Sequence, residues 1–355
     1  MLRPMASRRG SFGFARRALL AAILAAVPMA AHAETSGESA EEFFKTATLS
    51  MYVGSGSGGG YDAIARLVAR HMSRFLPGNP SFVIKNMPTA AGVAAANFIY
   101  NSAPRDGSAI LAAQNAPLML PLYGSPVAHY DPRKFEWIGS TDKQQAVCTT
   151  WLTSEVKTLA DAMKREVPVA ATGVSAGPGI YPKILNALLG TRFKVIAGYD
   201  TGGMRLAVEK GEVAGICGLA WQTYRAISFD WIEGKKLNVL VQMGLTRNAE
   251  LPDVPLAVEL LKNADDRAVL ELIVVPQEFG RPFLAPPGVP ADRMALYRRA
   301  FGAMLKDPRF QAESARQHFG IDPLDDRQIE ALLERAYAAP KPIRERAAMF
   351  AAELN

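Results

Sequence analysis

The chain has few of the side chains that carry metal, redox or acid–base chemistry. Its 355 residues include only two cysteines and four histidines. Cys148 and Cys217 fit no metal or redox spacing, and the sequence leaves open whether they form a disulfide or stay buried thiols. The chain contains no H-E-x-x-H and no C-x-x-C motif. We therefore predict that it holds no metal and no cofactor.

A hydrophobic run long enough to cross a membrane is also missing at the N-terminus. The apolar stretch 18–30 has 13 residues, whereas a transmembrane helix needs about 20. Five arginines precede this stretch, and the small-x-small sequence Ala31-His32-Ala33 follows it. This pattern predicts a signal peptide over residues 1–33, cleaved near Ala33. We favour the general secretory route, with twin-arginine export as the alternative.

An excess of one charge is absent once this leader is set aside. The full chain has 40 basic and 34 acidic residues, and five of the basic residues are the leader arginines. The remaining 35 basic residues nearly balance the 34 acidic ones. A nucleic-acid-binding surface needs a clustered excess of Lys and Arg. The composition therefore excludes nucleic acid as a partner.

Short apolar segments alternate with amphipathic segments along most of the chain. Residues 48–53 and 81–85 are predicted strands, and residues 62–75 form a predicted helix with apolar side chains at helical spacing. The alternation restarts at a predicted strand over 167–171, which leads through a glycine-rich loop into another helix. Such alternation is typical of parallel sheets with crossover helices. We predict an α/β fold with two lobes.

The first predicted helix follows a glycine-rich loop, GSGSGGG. Gly54, Gly56 and Gly59 have the G-x-G-x-x-G spacing of a dinucleotide site. The next strand ends in Lys85 and Asn86, however, where such a site needs an acidic residue for the ribose. Backbone N–H groups at the start of a helix attract anions. We therefore favour an anion site, with a plain strand-to-helix connection as the alternative.

Six longer segments together resemble one family. In chain order they are "GSGSGGGYDAIARLVA", "IKNMPTAAGVAAANFIYNSAPRDGSAIL", "ATGVSAGPGIYPKIL", "GYDTGGMRLAVEKGEV", "GKKLNVLVQMGLTRNAELPDVPLAVE" and "FLAPPGVPADRMALYRRAFGAMLKDPRF". By these motifs and their order, the chain resembles the Bug family, the extracytoplasmic solute receptors of tripartite tricarboxylate transporters. The resemblance implies a two-lobe periplasmic binding protein of the type II Venus-flytrap class, with a ligand cleft between the lobes.

The resemblance also implies a function and a domain organisation. It implies a monomeric periplasmic protein, not an enzyme, that captures a small organic acid and delivers it to the membrane permease subunits of a transporter. The first lobe is expected over 46–145 and the second over 146–245, with a return to the first lobe and C-terminal helices over 246–355. An exported hydrolase of a small carboxylic ester or amide, and a receptor that feeds a sensor system, stay open as alternatives.

Candidate ligand-binding residues follow from the same resemblance. Two first-lobe loops are implied to hold a carboxylate, largely through backbone groups, and second-lobe residues are implied to select the rest of the ligand. The implied set is Ser55, Gly56, Ser57, Gly58, Gly59, Tyr61, Asp62, Thr89, Ala90, Ala91, Gly92, Ser175, Ala176, Gly177, Asp200, Thr201, Gly202 and Trp221.

Particular residues of this set carry further expectations. Asp62, at the start of a predicted helix, is expected to cap free N–H groups. The second loop has Thr89-Ala90-Ala91 where the family commonly has Gly-Ala-Gly, which reduces its backbone freedom. Tyr61, Trp221 and Gln222 are predicted to line a pocket for an aromatic or amide-bearing ligand, with a core position as the alternative for Trp221.

Overall fold

The computed structural model describes residues 38–173 and 177–352. The predicted signal peptide lies outside the described residues. From Glu38 onward the chain forms one compact unit. Within the described ranges, no helix combines the length and the apolar character that a membrane span requires.

Eleven strands in the described part of the chain form two sheets. They are β1 (Leu49–Val53), β2 (Phe82–Asn86), β3 (Ala109–Ala112), β4 (Glu136–Ser140), β5 (Ala146–Trp151), β6 (Val167–Ala171), β7 (Phe193–Ala197), β8 (Gly215–Ala220), β9 (Leu237–Met243), β10 (Pro282–Ala285) and β11 (Leu324–Asp325). The first sheet has the order β11-β4-β10-β3-β1-β2, and the second has the order β7-β6-β8-β5-β9.

Both sheets are mixed, so the prediction of parallel sheets was only half correct. β1 is parallel to β2 and β3, and β6 is parallel to β7 and β8. In contrast, β10 is antiparallel to β3 and β4, and β5 is antiparallel to β8 and β9. The antiparallel strands adjoin the two places where the chain passes between the sheets.

Helices cover both sheets. They are α1 (Ala40–Thr46), α2 (Gly60–Ser73), α3 (Val93–Asn101), α4 (Leu159–Lys164), α5 (Gly177–Leu189), α6 (Thr201–Glu209), α7 (Trp221–Ile227), α8 (Phe229–Glu233), α9 (Ala257–Leu260), α10 (Ala264–Val274), α11 (Ala291–Lys306), α12 (Pro308–Arg316), α13 (Asp326–Tyr337) and α14 (Lys341–Ala352). Short 3-10 helices are Thr89–Gly92, Ala116–Tyr123, Pro132–Lys134 and Val275–Gln277.

Each sheet has an apolar core on both faces. Along β1, Met51 and Val53 pack in one cluster with α2, whereas Tyr52 faces a second cluster. On β3, Ile110 and Leu111 divide between the same two clusters. Alternate strand residues point to opposite faces, so strands covered on both sides need apolar residues throughout. The second sheet likewise has a cluster on each face.

Two chain segments connect the sheets and are hydrogen-bonded to each other. The first follows β4 and the second precedes β10. The N–H of Gln144 donates to the carbonyl of Gln277 at 2.8 Å, and the N–H of Gly280 donates to the carbonyl of Asp142 at 3.0 Å. We call 141–145 and 277–281 the crossing segments. The strands of the first sheet lie within 49–140 and 282–325, and those of the second within 146–243; the lobe ranges given above stay a prediction.

The two cysteines form a disulfide. Cys148 on β5 lies opposite Cys217 on β8 in the antiparallel pair, and their sulfur atoms are bonded. Both residues are fully buried in one core cluster of the second sheet. This settles the alternative that the sequence leaves open. The disulfide agrees with the predicted export, because such bonds persist in oxidising compartments.

Candidate functional site

A cavity of about 910 Å³ lies between the two sheets. Residues from both sides line it, together with part of the crossing segments. Of the residues implied by the family resemblance, those that line the cavity are Gly58, Gly59, Tyr61, Ala90, Ala91, Gly177, Thr201 and Gly202. The volume is within the range of about 300–1,000 Å³ typical of small-molecule sites.

Four helices in the described part of the chain begin at this cavity. Gly60, Val93, Gly177 and Thr201 are the first residues of α2, α3, α5 and α6, and all four line it. The first N–H groups of a helix have no acceptor within the helix, and the helix dipole adds partial positive charge there. Gly59, the N-cap residue of α2, provides no side-chain cap. The positive ends of these helix dipoles therefore point at the cavity from both sides, and at α6 the Asp200 carboxylate offsets part of that charge.

Asp62 organises the first glycine-rich loop. Its buried carboxylate accepts hydrogen bonds from the N–H of Gly58 at 2.9 Å, from Asn86 Nδ2 at 2.8 Å and from Arg66 Nε at 2.9 Å. Burial raises the pKa of Asp62, but the hydrogen bonds from Arg66, Gly58 and Asn86 outweigh it and lower that pKa to about 2. Asp62 does not line the cavity. It binds a loop amide ahead of α2, instead of capping helical N–H groups as predicted.

The second loop has a left-handed backbone. Ala90 and Ala91 have φ angles of 50° and 52°, and Gly92 has a φ of 91°. Left-handed geometry is costly for residues with a Cβ atom. Strained backbone of this kind concentrates at functional sites. The alanines that replace glycines here are therefore held in the conformation that glycine would adopt freely.

We expect Ala91→Gly to raise the free energy of unfolding by about 1 kcal/mol, because glycine removes the steric cost of the left-handed conformation. Urea denaturation of the purified protein measures this. The matched control is Ala94→Gly, three residues later in α3, which should lower stability by about 1 kcal/mol because glycine is unfavourable inside a helix. If both variants lose stability equally, Ala91 carries no such strain.

Close contacts between glycines connect backbone segments on each side of the cavity. A Cβ atom on Gly92 would lie 2.6 Å from the carbonyl oxygen of Gly54. A Cβ atom on Gly218 would lie 2.5 Å from the carbonyl oxygen of Gly177. Gly92 and Gly218 both have positive φ angles. The first contact thus joins the two first-lobe loops and the second joins β8 to the start of α5, and neither leaves room for a side chain.

Tyr61 connects the start of α2 to the second crossing segment. Its hydroxyl oxygen lies 3.0 Å from the carbonyl oxygen of Gly280 and 3.2 Å from Asn115 Oδ1. Asn115 Nδ2 in turn donates to the carbonyl of Pro276 at 2.8 Å. Burial raises the pKa of Tyr61 to about 12, so its hydroxyl stays neutral and remains a donor.

Arginine supplies both charged side chains that line the cavity within the described residues. Arg281 is 4% exposed and forms an ion pair with Asp142, which is 1% exposed. The Nε atom of Arg281 is buried without a hydrogen-bond partner. Arg205 contacts Asp230 and Glu209 on its outer side. None of these three carboxylates lines the cavity, so the charged groups facing a ligand are cations.

Several predicted residues lie elsewhere. Ser55, Gly56, Ser57, Thr89 and Gly92 belong to the two first-lobe loops but do not line the cavity. Ser175 and Ala176 lie outside the described residues. Their role in binding stays a prediction.

Three residues predicted for the second-lobe side of the site have structural roles in the described chain. The carboxylate of Asp200 caps α6 by accepting from the N–H of Gly203. The Trp221 indole is 5% exposed, donates from Nε1 to Glu250 at 2.7 Å and packs in a core cluster. The side chain of Gln222 accepts from the N–H of Gln145 at 3.0 Å. Trp221 therefore occupies the core position that was its alternative.

Some residues that line the cavity belong to no sequence motif that indicates a binding site. Asn115, Tyr181, Arg281 and Phe350 line it, yet none belongs to a glycine-rich loop. They reach the cavity because distant segments of the chain pack beside one another. In the described ranges, no group of three or more His, Cys, Asp or Glu side chains is arranged to hold a metal ion.

Comparison with known proteins agrees with this architecture. No protein-family model matches the chain. A UPF0065 protein of Bordetella bronchiseptica is 24% identical over 306 residues, which cover 83% of this chain and 82% of that protein. A TctC solute-binding protein from Polaromonas, solved without ligand, has a TM-score of 0.64 at 17% identity, over 85% of this chain and 99% of its own.

Two further solved structures have the same fold. MatC from Rhodopseudomonas palustris with bound malate has a TM-score of 0.60 at 19% identity, over 87% of this chain and 99% of its own. The periplasmic binding protein BugD has a TM-score of 0.58 at 21% identity, over 86% and 96%. The chain has the TctC/Bug fold. These comparisons confirm the two-lobe α/β class predicted from the motifs. They also confirm the resemblance to the Bug family as a likeness of fold.

Proposed function

We propose that this TctC/Bug-fold chain is a monomeric periplasmic receptor that captures a small organic acid between its lobes and delivers it to a membrane permease. The convergence of four helix starts on one cavity carries this proposal. Oriented amides bind an anion without large reorganisation. Arg281 and Arg205 also line the cavity, and each is paired with a carboxylate that lies outside the lining.

The solute in MatC supports the same class of ligand. MatC was solved with bound malate, a carboxylate. An identity of 19% shows a likeness of fold only. The ligand class proposed for this chain therefore depends on the residues of its own cavity. The proposed carboxylate site of the first lobe consists of the left-handed turn at Ala90 and Ala91 and the start of α2. The start of α5 and α6 is the proposed site of the second.

Binding is a better account of the cavity than hydrolysis. The segment Gly173-Val174-Ser175-Ala176-Gly177 has the G-x-S-x-G spacing of a nucleophile elbow. A serine nucleophile needs a base within hydrogen-bond reach. The described lining residues include no His, Asp, Glu or Lys to serve as that base. We therefore propose that the ligand leaves unaltered.

We expect carboxylic acids, and not their uncharged amides, to stabilise the protein in a thermal-shift screen. Ligand binding to the native state alone raises the melting temperature. Each acid is paired with its own amide so that size and shape are matched and only the charge differs. No shift with any acid, or equal shifts with acids and amides, would contradict an anion site. A second experiment deletes the gene and measures solute uptake and sensor output separately. Loss of uptake indicates a transport role, and loss of sensor output indicates a signalling role.

A further inference from the structure

The cavity continues well beyond the helix starts. Along α5, Gly177, Tyr181 and Ile184 all line it. Residues spaced by four and three lie on one face of a helix, and seven residues of an α-helix span about 10 Å. The cavity therefore follows one face of α5 for about two turns, from a positive end to an apolar one.

The first lobe has a matching wall. In the 3-10 helix Ala116–Tyr123, the residues Ala116, Leu120 and Tyr123 line the cavity. The Tyr123 hydroxyl donates to the carbonyl of Leu272 in α10 at 3.2 Å. This hydrogen bond brings the end of the first-lobe wall against α10, whose Ile273 also lines the cavity.

The C-terminal helix closes the far end. Phe350 of α14 lines the cavity and packs against a core cluster of each sheet. Ile273 packs against the same two clusters. We call this region the apolar arm, and its walls are Leu120, Tyr123, Ile180, Ile184, Ile273 and Phe350.

The two arginines that line the cavity belong to elements that do not form the apolar arm. Arg281 follows Gly280, whose carbonyl holds Tyr61 at the start of α2. Arg205 is in the second turn of α6, which begins at the cavity with Thr201. The only side-chain polar atom among the six arm residues is the Tyr123 hydroxyl, and it is already hydrogen-bonded. A charge buried in such surroundings without a partner is strongly disfavoured.

We infer that the ligand is a monocarboxylate with an extended apolar body. Its carboxylate lies at the helix starts, and its alkyl chain or aromatic ring occupies the apolar arm over about 10 Å. This inference rests on the proposed function. It goes further because it distinguishes an amphipathic acid from small polar acids with several carboxylates.

The test compares acids of matched length by calorimetric titration of the purified exported protein. Octanoate should bind about 250-fold more tightly than butanoate, because each of four additional buried methylenes contributes roughly fourfold. Octanedioate has the same chain with a second carboxylate at its far end. It should bind at least ~100-fold more weakly than octanoate, because that charge would be buried unpaired.

Two variants locate the apolar body. Ile273→Lys places a cation at the far end of the arm, and should reverse the preference so that octanedioate binds more tightly than octanoate. The control Leu152→Lys adds the same charge at an exposed position outside the cavity, and should leave the preference unchanged. Phe350→Ala should weaken octanoate binding by about tenfold through lost apolar contact. This variant tests the apolar arm even if Ile273→Lys fails to fold.

The outcomes separate the inference from the proposed function. If malate or butanoate binds more tightly than octanoate, or Ile273→Lys folds without changing the preference, the apolar arm does not hold the ligand. If no carboxylate of any length binds, the proposed receptor function itself fails. Tight binding of octanoate together with reversed preference in Ile273→Lys supports both.

Discussion

Replacing Arg281 with methionine should lower the free energy of unfolding by about 2–3 kcal/mol at pH 8. Arg281 and Asp142 lie in the two crossing segments and are both less than 5% exposed. Methionine fills a similar volume but removes the cation, which leaves the Asp142 carboxylate buried without a partner. Chemical denaturation of the wild type and the variant measures the difference.

The effect of Arg281→Met should depend on pH. Burial raises the pKa of Asp142 to about 6 even with Arg281 beside it, above the value of about 3.9 for an aspartate in an unfolded chain. The folded state therefore binds this proton more tightly than the unfolded state. The stability contributed by protonated Asp142 is fully present below about pH 4 and is lost as the pH rises through 6. Without Arg281 the carboxylate is harder to ionise, so the variant should be close to wild type at pH 4 and far less stable at pH 8.

Two comparisons isolate this ion pair. Arg165→Met breaks an exposed pair with Glu155 and should cost less than about 1 kcal/mol. Adding Asp142→Asn to Arg281→Met removes the unpaired charge and should recover part of the lost stability. A penalty of the same size at pH 4 and pH 8, or no larger than that of Arg165→Met, would show that the pair does not stabilise the crossing segments.

Gly92→Ala should lower the free energy of unfolding by about 3 kcal/mol and weaken ligand binding. Two costs combine at this residue. A Cβ atom at a φ of 91° costs about 1–2 kcal/mol, and its contact with the Gly54 carbonyl at 2.6 Å adds an overpacking cost of about 1–3 kcal/mol. The backbone must move to relieve the contact, which separates the two first-lobe loops.

Gly56→Ala is the matched control for this variant. Gly56 lies in the first loop, has no positive φ, and an added Cβ would meet nothing within 4 Å. Its stability and carboxylate affinity should stay within about 0.5 kcal/mol of the wild type. Chemical denaturation measures the stability of both variants, and calorimetric titration measures their carboxylate affinity. Equal behaviour of Gly92→Ala and Gly56→Ala would mean that the loop contact is not needed.

Features that depend on neighbouring residues in the chain were predictable. The helix predicted over 62–75 is α2, Gly60–Ser73, and the strand predicted over 81–85 is β2, Phe82–Asn86. The glycine-rich loop before α2 indicated an anion site, and part of that loop lines the cavity. Apolar periodicity and glycine content express local backbone preferences, so they can be read without knowledge of the tertiary contacts.

Contacts between distant segments were not predictable in this way. The buried pair of Arg281 and Asp142, the core position of Trp221 and the disulfide each depend on which segments pack together. Asp62 has the residue type and position of a helix cap. Its carboxylate instead accepts hydrogen bonds from the N–H of Gly58 and from Asn86. The apolar arm requires α5, α10 and α14 to meet at one place. Local preference thus accounts for the elements and their glycine-rich starts, whereas long-range packing assigns each polar group its partner and gives the cavity its shape.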